Sequence, residues 1–257
     1  MIKYNMNSEG FTLIELLVAL AMASIVMVAI VSAYQIQVKG KNVQEITIDM
    51  NQTARAAMEM LESDIRMAGC DPRGSADAGI TIAEVAELEF TMDINNDSNQ
   101  RISDGDAGDF GEVIRFALDN DSDGDGFADG TPCNLARDRG SGLEPLALNI
   151  DWLNFVYLGP DNDGDGNPDI LAAPVTGNDL DDIRMIQVTF VARSGAVLRG
   201  MTGSYTDTNT YSNESQWLDS SDASYEDFDP DSDLGGDAEK FRRLQLTKTI
   251  YCRNMGF

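Results

Sequence analysis

From Leu16 to Tyr34 the chain reads LLVALAMASIVMVAIVSAY, uncharged and almost wholly apolar. As a helix this run spans about 28 Å, close to the hydrocarbon thickness of a bilayer. Beyond it the pattern changes. Val43, Ile46, Met50, Ala54, Ala57, Leu61, Ile65 and Ala68 recur at spacings of three and four, an apolar stripe on one helix face. Lys41, Glu45, Asp49, Glu59, Glu62 and Arg66 take the other faces, and Gly69 stands where a helix stop is expected. The pattern predicts one helix from about Phe11 to Ala68, with a first half suited to lipid and a second half suited to packing on a sheet.

Strand-like runs follow at Gly79–Val85, Leu88–Met92, Glu112–Leu118, Trp152–Leu158, Ile183–Ala192 and Leu244–Tyr251. They are rich in β-branched and aromatic residues with period-two patterning, and clusters of Gly, Asp, Asn and Pro separate them. A helix followed by strands predicts an α+β fold, an antiparallel sheet laid on a long N-terminal helix.

Charge narrows the function classes. The 257 residues hold 44 Asp and Glu against 18 Lys and Arg, a formal net charge of −26. A polyanion is repelled by such a surface, so nucleic acid is not an expected partner, whereas divalent cations suit it. The absence of histidine removes the usual general base and the commonest transition-metal ligand. No motif couples an activated nucleophile to a base, so a non-enzymatic role is expected. Of the three cysteines, Cys70, Cys133 and Cys252, none lies in a CxxC pair. Outside the cytosol two of them can pair, in any of three ways; equally, all three can serve as small buried apolar residues.

Two loops share one acidic pattern. Asp121, Asp123, Asp125 and Asp129 form the first DxDxDGxxD, and Asp161, Asp163, Asp165 and Asp169 the second, forty residues on. Calcium takes six to eight hard oxygen donors, and alternate Asp residues in a tight loop with Gly at the sixth position turn their carboxylates inward to supply them. The twelfth positions are Pro132 and Ala172, not the bidentate Glu of an EF-hand, so the loops look more like the short aspartate loops of dockerins and thrombospondin type 3 repeats. Calcium is the expected cofactor, bound at roughly 10⁻⁴–10⁻³ M as in extracellular modules. Asp93, Asn95, Asp97, Asn99 and Asp104 make a weaker third candidate, with Ser98 where Gly is preferred. The stretch from Asp219 to Glu239 is acidic and rich in Ser and Gly. Its composition predicts a mobile solvated loop, or else a docking surface for a basic partner.

The residues ahead of the apolar run carry a further signal. They read SEGFTLIELLVAL, and Glu15 stands at the edge of the greasy stretch, where a bare carboxylate in lipid is costly. An ordinary signal peptide places its cleavage site after the apolar run; here the recognisable signal precedes it. This segment resembles the processing and assembly signal of type IV pilins and pseudopilins. The resemblance implies cleavage between Gly10 and Phe11 by a prepilin peptidase and methylation of Phe11. It also implies pairing of Glu15 with the terminal amine of a neighbouring subunit, so that two buried charges compensate each other. Further stretches, DIRMAGCDPRG (Asp64 to Gly74), LEFTMDINND, IRMIQVTFVARS and FRRLQLTKTIYCRN, resemble PilW-type minor pilins, with the J-type pseudopilins of type II secretion close behind. Cys70, where an aromatic residue is usual, and the acidic insertion before the last strand depart from that pattern.

The resemblance thus implies a leader over residues 1–10, a transmembrane and assembly helix over 11–40, and a periplasmic or extracellular pilin-like head over 41–257. It implies a subunit held in the inner membrane before assembly into a pilus or pseudopilus, at or near its tip, among other pilin-type subunits. Lys3 before the span and Lys39 and Lys41 after it leave the charge rule for orientation near a tie, so orientation rests on the resemblance. A membrane-tethered, calcium-dependent adhesin that does not polymerise is the alternative reading.

Overall fold

The computed structural model describes residues 11–96, 102–130, 132–196, 206–235 and 238–255. The first element, α1 (Leu13–Ile65), is a single helix of 53 residues. At 1.5 Å per residue it is about 80 Å long, several times what a globular domain needs. Its N-terminal half touches nothing: from Leu13 to Val38 the large apolar side chains are exposed, and the most apolar window, of mean hydropathy 2.7, is wholly unburied. From Met50 onward the helix joins the core through Met50, Ala54, Ala57, Met58, Leu61 and Ile65, the face that the three-and-four spacing marks.

Gly69 ends the helical segment in the left-handed region (φ +72°), its N–H donating to Thr91 O at 3.0 Å. A Cβ there would lie 2.7 Å from Met255 Sδ, so this turn closes directly onto the C-terminal segment and requires glycine.

Beyond the helix the described residues form two main antiparallel sheets and a two-stranded ribbon, where a single sheet is expected. The first is a five-stranded meander of β1 (Ile80–Ala83), β2 (Leu88–Thr91), β3 (Val113–Leu118), β4 (Asn134–Asp138) and β5 (Glu144–Leu148), paired in chain order. The second uses β6 (Ile150–Leu158), β7 (Ile170–Leu171), β8 (Met185–Arg193) and, after the insertion, β11 (Arg243–Tyr251), in the order β11-β8-β6-β7. All six expected strands are present. Among the additional ones, β4 and β5 read NLARD and EPLAL, and their charges and proline hide them from a search for alternation. Leu88, Phe90, Ile114, Phe116 and Leu135 of the first sheet share one core with Leu153, Phe155, Tyr157, Ile186, Val188 and Phe190 of the second and with the helix stripe. Ion pairs fasten α1 to both sheets: Arg137 of β4 meets Asp64 at 2.8 Å, and Lys248 of β11 meets Glu62.

β6 and β8 are buried along all nine residues of each strand. One face is the core. The other lies beneath the described parts of the segment between β8 and β11, of which the sequence reads Asp219 to Glu239 as a mobile solvated loop or a docking surface. Its described residues are packed: β9 (Tyr211–Ser212) and β10 (Asp227–Phe228) pair as a ribbon, α2 (Pro230–Asp233) follows, Asp207, Asn213 and Leu218 are buried, and so, within the stretch read as a loop, are Phe228 and Pro230. Asn213 holds it down, donating to Asn154 Oδ1 at 3.0 Å and to Ser224 O at 2.8 Å, while Gln187 Nε2 donates to Asn213 O at 2.6 Å. Acidic composition hides the few apolar residues that anchor this cover.

Candidate functional site

Three groupings carry the chemistry. The first is the helix start. Thr12 is the N-cap of α1, its hydroxyl accepting from Glu15 N at 3.4 Å. Glu15 Oε2 in turn accepts from Thr12 N at 2.9 Å and from the Thr12 hydroxyl at 2.7 Å, completing a capping box. The spacing Thr-x-x-Glu carries this box in the sequence, where only the Glu was singled out. Phe11 is 91% exposed, and Gly10 lies outside the described residues. Among the described residues Glu15 is therefore the one acidic group at the head of a long, uncovered apolar rod.

The second grouping is the pair of acidic loops, and their backbone N–H to carboxylate bonds match one for one. In the first, Asp121 accepts from the N–H groups of Gly124 (2.8 Å) and Gly126 (3.0 Å), and Asp123 from Asp125 N (3.4 Å). Asp125 accepts from Phe127 N (2.8 Å), and Asp129 from Ser122 N (2.7 Å). In the second, Asp161 accepts from Gly164 (2.6 Å) and Gly166 (2.9 Å), and Asp163 from Asp165 N (3.0 Å). Asp165 accepts from Asn167 N (2.7 Å), and Asp169 from Asn162 N (3.1 Å). Gly124, Gly126, Gly164 and Gly166 all have φ between +78° and +90°, the left-handed turns that this winding requires.

Each loop gathers carboxylate oxygens of its first, third and ninth residues within 4.8 Å of one another: Asp121, Asp123 and Asp129, then Asp161, Asp163 and Asp169. Two oxygens on one calcium ion at 2.3–2.6 Å are at most about 5 Å apart, so this donor set fits that ion. Asp125 and Asp165 stand outside the triads, each with one oxygen taken by a backbone N–H two residues on.

The loops differ in setting. Gly126 is buried against β6, with its carbonyl accepting from Leu153 N at 2.9 Å, and Phe127 stacks on Trp152 with ring centroids 6.2 Å apart. Burial, reinforced by the charges of Asp125 and Asp123, pushes the Asp121 carboxyl above its usual range; burial likewise raises Asp125. The second loop projects into solvent, and the N–H groups of Gly164 and Gly166 hold Asp161 below the usual range. Space separates them too: a Cβ on Gly126 would sit 2.3 Å from Leu153 O, whereas nothing lies within 4 Å of one on Gly166. Gly126→Ala is expected to lower the melting temperature markedly, because both a backbone collision and a left-handed φ oppose it. Gly166→Ala, strained in φ alone, should cost only about 1 kcal/mol of stability in thermal denaturation.

Both loops border the acidic insertion. Phe127 packs against Phe228 of β10 (5.9 Å), Glu226 accepts from the Asn154 amide at 2.7 Å, and Trp217 and Leu218 share a shallow cleft with Asp165 and Asp169. The third acidic candidate is different. Asp93 is fully buried and its oxygens accept from the Ser103 hydroxyl, Asp104 N and Gly105 N, so they serve the turn itself. Asp97, Ser98 and Asn99 lie outside the described residues.

The third grouping escaped sequence reading altogether. Asp151, at a bulge in β6, pairs with Arg193 of β8 (2.9 Å) and Arg243 of β11 (2.8 Å), and Arg243 reaches Asp207 of the insertion at 3.4 Å. Asp151, Asp207 and both arginines are buried. Cys133 and Cys252 are buried free thiols, each pushed up to about 12 mainly by burial, and Cys70 is a half-buried free thiol on the core's edge.

Comparison with known proteins speaks to the helix start. Residues 5–31 match the family described as the prokaryotic N-terminal methylation motif. The chain carries the N-terminal motif of type IV prepilins. The prepilin motif covers Gly10, Phe11, Thr12, Glu15 and most of the exposed apolar run, so the capping box described above is built from motif residues. No curated protein sequence matches the chain. Among solved structures, a type IV-like pilin from Thermus thermophilus aligns over 80% of this chain and 98% of its own, at 9% identity and a TM-score of 0.44. Beyond the prepilin motif, the head is described by its own α+β architecture: the helix and two antiparallel sheets.

Proposed function

We propose that this prepilin-motif chain is a structural subunit of a type IV pilus or a type II secretion pseudopilus, of the minor-pilin kind. The observation that carries the reading is the conjunction at the N-terminus. A matched methylation motif opens directly into a helix whose first half is apolar and uncovered, and whose second half is the spine of a folded head. Prepilin peptidase removes residues 1–10, the helix holds the subunit in the inner membrane, and the head stands on the periplasmic side. Assembly moves the apolar half from lipid into a bundle of like helices. There Glu15 exchanges its Thr12 donors for the amine of Phe11 on another subunit, an exchange that keeps the carboxylate satisfied throughout. Recovery of the cleaved chain from sheared surface filaments or from a cross-linked pseudopilus tests the reading; a chain found solely as a membrane monomer contradicts it.

Calcium is the proposed ligand of the two aspartate triads. Bound to the folded state, it stiffens the loops that border the insertion and stabilises the head by linkage, by about 1.4 kcal/mol for ion present at tenfold over Kd. The sign can be tested at Asp121. Its folded pKa is raised, so its contribution to stability is complete below the ordinary carboxylate pKa and is lost as pH rises through the raised one. In chelator at neutral pH, Asp121→Asn should therefore melt at or above the wild type. In millimolar calcium the order should reverse, because the variant has lost an anionic ligand. Identical melting shifts for the two proteins on adding calcium would remove the ion from this loop.

A further inference from the structure

The first aspartate loop is built onto the same face of β6 that the insertion covers. Residues 126–128 lie between two members of its triad, Asp123 and Asp129, and all three are tied to that strand. Gly126 O accepts from Leu153 N at 2.9 Å, Ala128 N donates to Asp151 O at 3.0 Å, and Phe127 forms a β-bridge with Trp152.

The Phe127 ring carries the contact on to the insertion. It stacks on Trp152 at 6.2 Å and packs on Phe228 of β10 at 5.9 Å. Phe228 in turn meets Trp152 at 6.1 Å and Tyr211 of β9 at 6.0 Å. Asp151, whose carbonyl receives Ala128, also holds Arg243, the partner of Asp207 in the insertion. Loop and cover thus share one strand and one aromatic cluster, so lifting the cover strips Phe228 from Phe127.

Charge acts at the same joint. Burial pushes the Glu226 carboxyl of the insertion above its usual range, and the charge of Asp125 in the loop adds to that rise. The two carboxylates repel, and a cation held by the triad offsets the repulsion. The second loop has no such link. Nothing crowds its Gly166, and it meets the insertion across the open cleft that Trp217 and Leu218 share with Asp165 and Asp169. Among the described residues no hydrogen bond or ring contact joins that loop to the insertion.

We propose that the first loop is a cation-dependent latch for the insertion: an ion on Asp121, Asp123 and Asp129 holds the cover onto β6 and β8, and an ion in the second loop does not. The latch rests on calcium as the ligand of the loops. Opening that carries Phe127 away with the cover disturbs the winding between Asp123 and Asp129 and releases the ion. Calcium therefore suppresses that opening according to its excess over Kd.

The test is amide hydrogen exchange on the full chain in detergent micelles, in chelator and at calcium tenfold over the Kd found by calorimetry. The amides of Ser212, Asn213 and Glu226, all hydrogen-bonded, report the cover. Calcium should slow their exchange about tenfold in the wild type. Asp123→Asn should abolish that slowing, and Asp163→Asn should leave it in place. Phe127 gives the loop only a backbone N–H, to Asp125, so Phe127→Ala placed in the Asp163→Asn chain should still take up calcium. Its ribbon should nevertheless no longer slow, and Phe127→Leu should restore part of the response. Calcium bound without slowing of these amides overturns the latch and leaves the calcium reading standing. So does slowing lost equally in Asp123→Asn and Asp163→Asn, or slowing that survives Phe127→Ala in full. Absence of calorimetric heat at millimolar calcium overturns the calcium reading and the latch with it.

Discussion

Arg243→Ala is expected to be the most damaging single substitution in the head, costing about 3–5 kcal/mol in urea denaturation. Arg243 is buried beneath the insertion and touches two carboxylates, Asp151 at 2.8 Å and Asp207 at 3.4 Å, while its guanidinium also lies over the Phe228 ring at 5.7 Å. Asp151 would keep Arg193. Asp207 would keep the Tyr211 hydroxyl and the Asn209 amide, both at 2.8 Å, but no cation among the described residues. An uncompensated buried carboxylate is the expensive outcome. Its signature is pH dependence. Burial already raises the Asp151 pKa, and Arg243 opposes that rise. Without Arg243 the folded pKa climbs further, so the deficit of the variant relative to wild type should be largest at neutral pH. It should shrink as pH falls through the raised pKa and the carboxyl takes up a proton. Hydrogen exchange should show the β9–β10 ribbon opening first, because the Asp207 pair is one of its ties to β11, and its loss leaves only the two hydrogen bonds between Ser212 and Gln245 among the described residues. A deficit that does not change with pH would mean lost packing, not lost charge compensation.

Glu15→Ala should act on assembly and spare folding. In the single chain Glu15 only completes the capping box with Thr12, and losing that box costs about 1 kcal/mol at a helix start that touches no part of the head. The variant should be cleaved, remain in the membrane fraction and keep the wild-type melting temperature of the head. Its amount in sheared filaments or cross-linked pseudopilus should fall to background. In the assembled bundle the Phe11 amine would otherwise be a lone charge among apolar side chains, and that penalty falls on every contact that the subunit makes. Glu15→Gln separates the two roles: it can still cap the helix but carries no charge, so it should also fail to assemble. Normal incorporation of Glu15→Ala would place the assembly energy in the apolar packing alone.

The parts of this molecule legible in the sequence are those fixed by local spacing. α1 was readable to within three residues at each end because its stripe keeps one period from Val43 to Ala68, and Gly69 follows it in the left-handed conformation that favours glycine. The six strands were readable because β-branched and aromatic residues crowd into them. The acidic loops declare their winding through Asp-x-Asp-Gly-Asp-Gly, and the structure returns the same backbone bonds in both. What stayed hidden depends on contacts distant in sequence. Division into two sheets rests on β4 and β5, whose alternation is broken by Arg137, Asp138, Glu144 and Pro145. The cover over β6 and β8 rests on a few residues, Asp207, Asn213, Leu218 and Phe228, scattered through acidic surroundings that dominate any composition-based reading. The Asp151–Arg193–Arg243–Asp207 cluster joins residues up to 92 positions apart, and no local pattern announces it.

The proposed function requires a helix that stays with the head after its leader is removed. Intact-mass measurement of the chain isolated from its own cells tests this most directly. The expected mass is that of residues 11–257 carrying one added methyl group, with Phe11 at the amino end. A mass that begins at Met1, or one from which the apolar half of α1 is missing, contradicts it.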